Sequence, residues 1–539
     1  MNQPQLPPVE QHLNWDIKAA WRYHQGTNHS QQSVYQSSHR MEWDNQPIPF
    51  KIYPGLAGEP IKGDLTTSGV STLSALSAPA IQSDAVPTSE DLAALLFYTG
   101  GVTKVRTMGG GGKMYFRAAA CTGALYHIEI YLVCGPVPFG PTKDLEAGVY
   151  HFGPHDFALR KLRDGDHRRV LVDATGSDPA VVEAPAALVF TSVFWRNSWK
   201  YQARAYRHSF WDSGTMLANL LAVGASRHIP MKLVSAFADQ PVNRLLGLDE
   251  DREVALQIVP LGRVAGQSVA DAPDIEHLDL EPLDLEIQPY SHREVDYPAI
   301  REMHAASCLK NGAEAAGLRG NPPVVAQPAS SGPEFPLIHP AEDDLPRLGI
   351  EDTIRRRGSS RRFQRADISF TQLSVMLRGA AGPIDADFLE GSAETLNQMY
   401  LIVNQVEGLA SGSYVYHRER ETLEQLSAGD CRQQAGYLDL GQELAADASV
   451  NVYFLTGLNS VLERYGNRGY RMAQMEASLM GGRLYLGAYA QRLGATGLTF
   501  FDDDVTQFFS PHAEGKSVMF LVALGRAMRQ RRNIPVTGA

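Results

Sequence analysis

The chain has 539 residues, 44% of them hydrophobic and 20% charged, with a net charge of −11, which is ordinary for a globular protein of two or more domains. No apolar run approaches the ~18 residues of a membrane span, the polar start MNQPQLPPVEQHLNWD lacks a signal-peptide pattern, and the acidic balance speaks against nucleic-acid partners. Cys121, Cys134, Cys308 and Cys431 show neither CxxC spacing nor a disulfide framework, so no metal is expected and the cytoplasm is the default location.

In chain order, leucines at helical spacing predict a helix over residues 89–98. Branched and aromatic residues predict strands over 128–133 and 188–194. Residues 195–224 then carry Lys200-Tyr201, two side chains capable of proton transfer, into a long helix with Leu217, Leu220, Leu221 and Gly224 on one face. A strand over 255–263 follows. Residues 271–286 hold seven acidic residues and no Lys or Arg, either a solvated linker face or a docking tract for a partner. Residues 318–340 are rich in Pro and Gly, as a linker is. The same order then returns: a helix over 370–378, strands over 400–403 and 450–456, a long helix, and a strand over 518–526. That is an α+β layer architecture.

The return is a repeat in sequence as well. Arg464-Tyr465-Gly466-Asn467-Arg468-Gly469-Tyr470-Arg471 restates Lys200-Tyr201-Gln202-Ala203-Arg204-Ala205-Tyr206-Arg207 at an offset of 464 − 200 = 264. Gly148-Val149-Tyr150 matches Gly412-Ser413-Tyr414, and Leu162 with Gly165-Asp166 matches Leu426 with Gly429-Asp430, in the same register. Phe237, Asp239 and Val242 match Phe500, Asp502 and Val505, and Leu261-Gly262-Arg263 matches Leu524-Gly525-Arg526, one residue closer. Several matches in register imply a duplicated domain. The expected divisions are 1–265, a linker over 266–345, 346–530 and a tail over 531–539.

The copies differ. The first carries about a dozen extra residues before Tyr131, in a region containing the run Met108 to Lys113 and the segment FRAAACTGALYHIE. The run does not meet the GxxxxGK[ST] spacing of a triphosphate loop and reads as a mobile loop. The second copy opens with Arg355 to Arg362, five arginines and two serines in eight residues. These suit a phosphate or polyol chain, or form a basic loop on an acidic protein. The apparent counterpart in the first copy, residues 23–30, lacks that density. Cys121-Thr122-Gly123 permits close backbone approach to a planar ligand. Lys200-Tyr201 is a surface Lys beside a half-buried Tyr, or a proton-transfer pair whose pKa values Arg204 and Arg207 would lower.

RGSSRRF (357–363) resembles the RRSxRxF signature of flavin-dependent nitroreductase-like proteins, and FRAAACTGALYHIEIYLV resembles their R-A-x-P-S-x-G-x-L-x-P-I-E segment. WKYQARAYR and the early YHQGTNHS resemble the SagB-type dehydrogenases, which oxidise azoline rings in ribosomal peptides. Ala120-Cys121 stands where that family has Pro-Ser, His127 where it has Pro, and Gly358 where it has a second Arg. The resemblance implies two nitroreductase-like halves forming an intramolecular pseudo-dimer with a single FMN, which is able to dimerise further. It implies that Arg357, Ser359, Arg361 and Arg526 hold the FMN phosphate and ribityl chain. Thr496, Gly497, Leu498 and Thr499 are expected near the ring, Cys121, Thr122 and Gly123 across the interface, and Lys200-Tyr201 as the catalytic pair. The implied activity is an FMN-dependent dehydrogenase or oxidase, acting on an azoline or related small-molecule or modified-peptide substrate beside biosynthetic partner enzymes. A nicotinamide-dependent nitro- or quinone reductase and a flavin-free scaffold of a biosynthetic complex are the alternatives.

Overall fold

The computed structural model describes residues 13–61, 65–108, 112–136, 145–266, 280–324, 328 and 330–528. The first half opens with α1 (Lys18–Gly26) and α2 (Ser89–Gly100). Thr88 and Asp91 bond reciprocally at the start of α2, the capping box that fixes a helix N-terminus. A hairpin of β1 (Val102–Thr107) and β2 (Lys113–Arg117) follows. Then come β3 (Ile128–Cys134), β4 (Gly148–Gly153), β5 (Ala158–Asp164) and β6 (Ala186–Val193). Helices α3 (Phe194–Tyr201), α4 (Ala205–Ser226) and α5 (Asp239–Leu246) lead to β7 (Glu253–Leu261). The strands pair antiparallel in the order β5-β4-β3-β6-β7.

The second half contains α6 (Pro298–Ala306), α7 (Ile350–Arg356) and α8 (Phe370–Ala380). It continues with β8 (Asn397–Val403), β9 (Gly412–His417), β10 (Thr422–Ala428) and β11 (Val450–Thr456). Helices α9 (Leu458–Tyr465) and α10 (Arg468–Ala490), strand β12 (Gly494–Gly497), α11 (Asp502–Phe509) and β13 (Ser517–Ala527) complete it. Its sheet has the order β10-β9-β8-β11-β13, strand for strand that of the first. In both sheets the central strands are buried on both faces. Their sequences are therefore near-continuous apolar runs, which made them legible as strands.

The long helices α4 and α10 are buried almost all round, as helices in the middle of a large core are. They pack on each other between the sheets. Gly214 of α4 lies so close to Ser478 of α10 that an added Cβ would stand 1.9 Å from the Ser478 hydroxyl. Between α3 and α4 the chain breaks at Gln202, with φ +50°. The matching break between α9 and α10 has Gly466 at φ +63°. Lys200-Tyr201 thus ends its own short helix instead of running into the long one.

Two sequence-based expectations are corrected. The proposed linker 266–345 contains α6, a short helix over Gly312–Gly317 and a strand, Glu334–Pro336, paired with β10. Residues 271–279 of the acidic tract, 109–111 of the glycine run and the 531–539 tail lie outside the described residues. Residues 23–30 are also not the counterpart of the arginine segment. Arg207 donates to the His24 carbonyl and Thr27 hydroxyl, and Arg471 donates to the His304 carbonyl and Ser307 hydroxyl. It is therefore α6 that stands to the second half as α1 stands to the first. At the sheet edge Ala85 pairs with Arg263 as Gln364 pairs with Arg526, which aligns Arg357–Arg362 with residues 78–83. Insertions shift the offset here, so a search at 264 misses both relations.

Candidate functional site

A cavity of about 1250 Å³ opens between the halves. The segment leaving α7 (Arg355 to Arg362) and the β12 turn (Thr496 to Thr499) supply the second half's walls. The turn after β2 (Cys121 to Ala124), the end of α3 (Lys200-Tyr201) and the inner wall of α4 supply the first half's. All the site residues expected from sequence line it except Arg526, which is exposed and donates from Nε to the Asp367 carbonyl at 2.8 Å.

Arg357 is the first anchor. It leaves the end of α7 and crosses between the halves, donating to the carbonyls of Ala118 (3.0 Å) and Arg117 (2.8 Å). Its guanidinium braces the base of the hairpin from below. Ser359 lies 3.4 Å from the Tyr485 hydroxyl, which also accepts from the Gly497 amide at 2.5 Å. The buried Ser360 hydroxyl has no hydrogen-bond partner among the described residues. Arg361 and Arg362 are exposed.

Asp212 of α4 is the second anchor, and sequence reasoning missed it. Its carboxylate accepts from the Thr122 amide (2.8 Å), the Thr122 hydroxyl (2.7 Å) and the Cys121 thiol (2.9 Å), and lies 3.0 Å from His127 Nε2. One buried acid therefore fixes the whole turn, where Gly123 adopts φ +66° with its Cα facing the Tyr201 hydroxyl. A Cβ on Gly123 would come within 2.9 Å of that hydroxyl, so the turn requires glycine. At the repeat's offset Asp212 falls on Glu476, which accepts from the Leu396 and Asn397 amides. An acid at this position in both copies was the available signal.

The electrostatics separate the members of the pair. Burial, aided by Arg361, pushes the Lys200 ammonium below its usual range. Tyr201 moves the other way: burial, then Asp212 and Cys121, push its hydroxyl well up against the opposing pull of Arg361. The expectation that Arg204 and Arg207 lower both groups fails because both arginines are spent on Asp502, at 2.9 and 2.5 Å. Burial, then Asp212, holds Cys121 well above the normal thiol range, so it is a hydrogen-bond donor and not a nucleophile. His208, edge-on to Tyr201 and tilted against Trp211, is kept neutral by burial and by Arg204.

The second copy of the pair is built differently. Arg464 donates to the carbonyls of Arg319 and Gly320, and Tyr465 to Phe388 at 2.7 Å, while Lys200 and the Tyr201 hydroxyl make no hydrogen bond among the described residues. The mirror of the large cavity is a pocket of about 60 Å³. There Leu221 and Ala225 stand where Tyr485 and Tyr489 line the large cavity, and Pro79 to Ile81 stand where the arginine segment runs. Asp239, His304 and Cys308 bring ligand-type atoms within 4.8 Å of one another. Two guanidinium groups already hold Asp239, however, a field that repels a cation.

Residues 142–263 match the nitroreductase family. The chain is 24% identical to a protein of Methanocaldococcus jannaschii named as a nitroreductase, over 170 residues that make up 30% of this chain and 85% of that one. It is 30% identical to the microcin B17-processing protein McbC of Escherichia coli over 140 residues, 25% of this chain and half of McbC's length. A crystal structure titled as a nitroreductase from Anabaena variabilis superposes with a TM-score of 0.71 at 25% identity, covering 95% of this chain and 99% of that one. No helix among the described residues is long and apolar enough to cross a membrane.

Proposed function

From a chain that carries a nitroreductase-family domain in a mixed helix-and-sheet, nitroreductase-like fold, we propose an FMN-dependent dehydrogenase or oxidase with one site per chain. The site lies between the two halves of an internal pseudo-dimer. The observation that carries this reading is the large cavity walled by the arginine segment of one half and by the Asp212-held turn and Lys200-Tyr201 of the other. The domain boundary falls between β7 and α6.

The lining suits FMN. Arg356, Arg361, Ser359 and the unpartnered Ser360 hydroxyl would hold its phosphate and ribityl oxygens. The glycine-containing turn and the β12 turn would flank its ring. Arg357, expected to hold the phosphate, lines the same cavity and also fixes the hairpin base through Nε and Nη2. When bound, the flavin supplies the acceptor for a hydride. Around it the chain manages protons. Lys200, with its lowered pKa, takes a proton from the substrate, and Tyr201, which stays protonated, donates a hydrogen bond that orients it. The likeness to McbC supports a C–N or C–C single bond of an azoline or related heterocycle as the substrate.

The test is the visible spectrum and released-flavin content of the purified chain, followed by incubation with a thiazoline-containing peptide. One FMN per chain and loss of two hydrogens from the peptide are expected. Arg361→Ala should release the flavin, while Arg464→Ala should keep it. A chain that takes up no FMN on reconstitution overturns the reading and leaves a scaffold protein. Efficient NADPH oxidation that is indifferent to Lys200→Ala and Tyr201→Phe would make it a reductase.

A further inference from the structure

The cavity has far more positive charge than one flavin phosphate requires. Besides the arginine segment and Lys200, its wall includes Lys104 and Arg106, while among the described residues Asp212 is its one carboxylate and is already engaged by the Cys121 turn. This concentration occurs in a protein whose net charge is −11, so the field is local to the cavity and focused by it.

Lys104 and Arg106 stand on β1, two residues apart and therefore on one face of the ribbon. Across the hairpin Lys104 pairs with Phe116 and Arg106 with Met114, and all four line the cavity. Lys104 Nζ lies 5.9 Å from the centre of the Phe116 ring. Val105, Tyr115 and Lys113 take the opposite face, where Tyr115 packs edge-on to Phe50. Arg106 is level with Met114, three residues beyond the Arg117 braced by Arg357, so it stands about 10 Å up the ribbon from that anchor. These two cations thus form a group separate from the arginine segment, alternating with apolar side chains. No hydrogen bond or ion pair neutralises Lys104 or Arg106 among the described residues.

Resting on the flavin reading above, we propose that Lys104 and Arg106 form a second anion subsite in the cavity, which selects a substrate or co-substrate bearing an anionic group next to an apolar or aromatic body. The anion pairs with the two cations, and the body lies on Phe116 and Met114. The group is a substrate carboxylate or the phosphate of a nicotinamide dinucleotide. Both are read by the same contacts.

The test uses the full chain and the variants K104Q/R106Q and K113Q, the latter on the opposite face of the ribbon. Flavin content is measured for each. Benzoate and its neutral isostere benzamide are then titrated by calorimetry, and NADPH and NADH oxidation rates are compared. Benzoate should bind about ten-fold more tightly than benzamide to the wild type and K113Q, with the preference abolished in K104Q/R106Q at unchanged flavin content. A preference for NADPH over NADH that vanishes in the same variant would support the subsite and assign it to the dinucleotide phosphate. Equal binding of benzoate and benzamide by the wild type, or a preference surviving in K104Q/R106Q, overturns the proposal. So does loss of flavin from that variant, because the two cations would then belong to the cofactor. If no preparation holds flavin, the function proposed above fails, while the titrations still decide the subsite.

Discussion

Asp239 and Asp502 occupy equivalent positions in the two halves, and each is held by two buried arginines from the opposite half. Arg204 and Arg207 bind Asp502; Arg468 and Arg471 bind Asp239. The reciprocity extends to the helices beside them, since Arg204 donates to the Thr27 carbonyl and Arg468 to that of Ser307. A surface that contacts its own equivalent is what an isologous interface has, and it supports the internal pseudo-dimer proposed above.

Removing either acid leaves two guanidinium groups buried without a counter-charge. Asp502→Ala and Asp239→Ala should each destabilise the fold by about 3–5 kcal/mol, read by chemical denaturation. Loss below 1 kcal/mol would mean that water compensates the arginines.

The same two acids set an acid limit. Burial alone would raise both, but the paired arginines outweigh it and lower each to about 2. Their contribution is therefore full above the unfolded value of about 3.9 and is lost as pH falls towards 2. Glu476 acts in the opposite sense, because burial raises it to about 7. A carboxyl with a raised pKa favours the folded state when protonated, so stability should decline as pH rises from about 4.5 to 7. Glu476→Gln should flatten that part of the profile. An unchanged slope between pH 5 and 7 would count against it.

Tyr201 and Tyr465 make the functional contrast. Tyr201→Phe removes a hydroxyl without a partner and should change stability by less than about 0.5 kcal/mol, while turnover falls on the order of 10²-fold. Tyr465→Phe removes the bonds to Phe388 and Gly320 and should cost about 1–2 kcal/mol, with the flavin content retained. Steady-state kinetics and melting curves of the two variants decide this.

Gln202 adopts a conformation that suits glycine, as the equivalent Gly466 does. Relieving it with Gln202→Gly should stabilise the chain by about 1 kcal/mol, less whatever its side-chain bond to Tyr297 contributes. A lower melting temperature would show that this bond outweighs the strain.

Much of this was legible in sequence because it was repeated. The apolar strands, the Arg204/Arg207 pattern with its copy, and the Asp239/Asp502 match were all visible. That each arginine pair reaches the other half's aspartate was not, since a repeat register aligns residues without showing which copies touch. The arginine segment and the Cys121 turn were readable from residue type, and the structure brings both to one cavity. Asp212 was hidden inside a helix that reads as core, and α6 inside a stretch whose prolines and glycines suggested a linker. The reversal of Tyr201 came from geometry: charges close in sequence were committed elsewhere in space.

Because α4 and α10 pack together on one polypeptide, dilution does not part the two walls of the cavity, as it would two separately translated subunits. In an assembly of identical subunits, every substitution appears twice. Here a change falls on one wall only, so Leu221 and Ala225 close one pocket while Tyr485 and Tyr489 line the other. In the pseudo-dimer proposed above, each half is left free to keep only the wall that the large cavity needs of it.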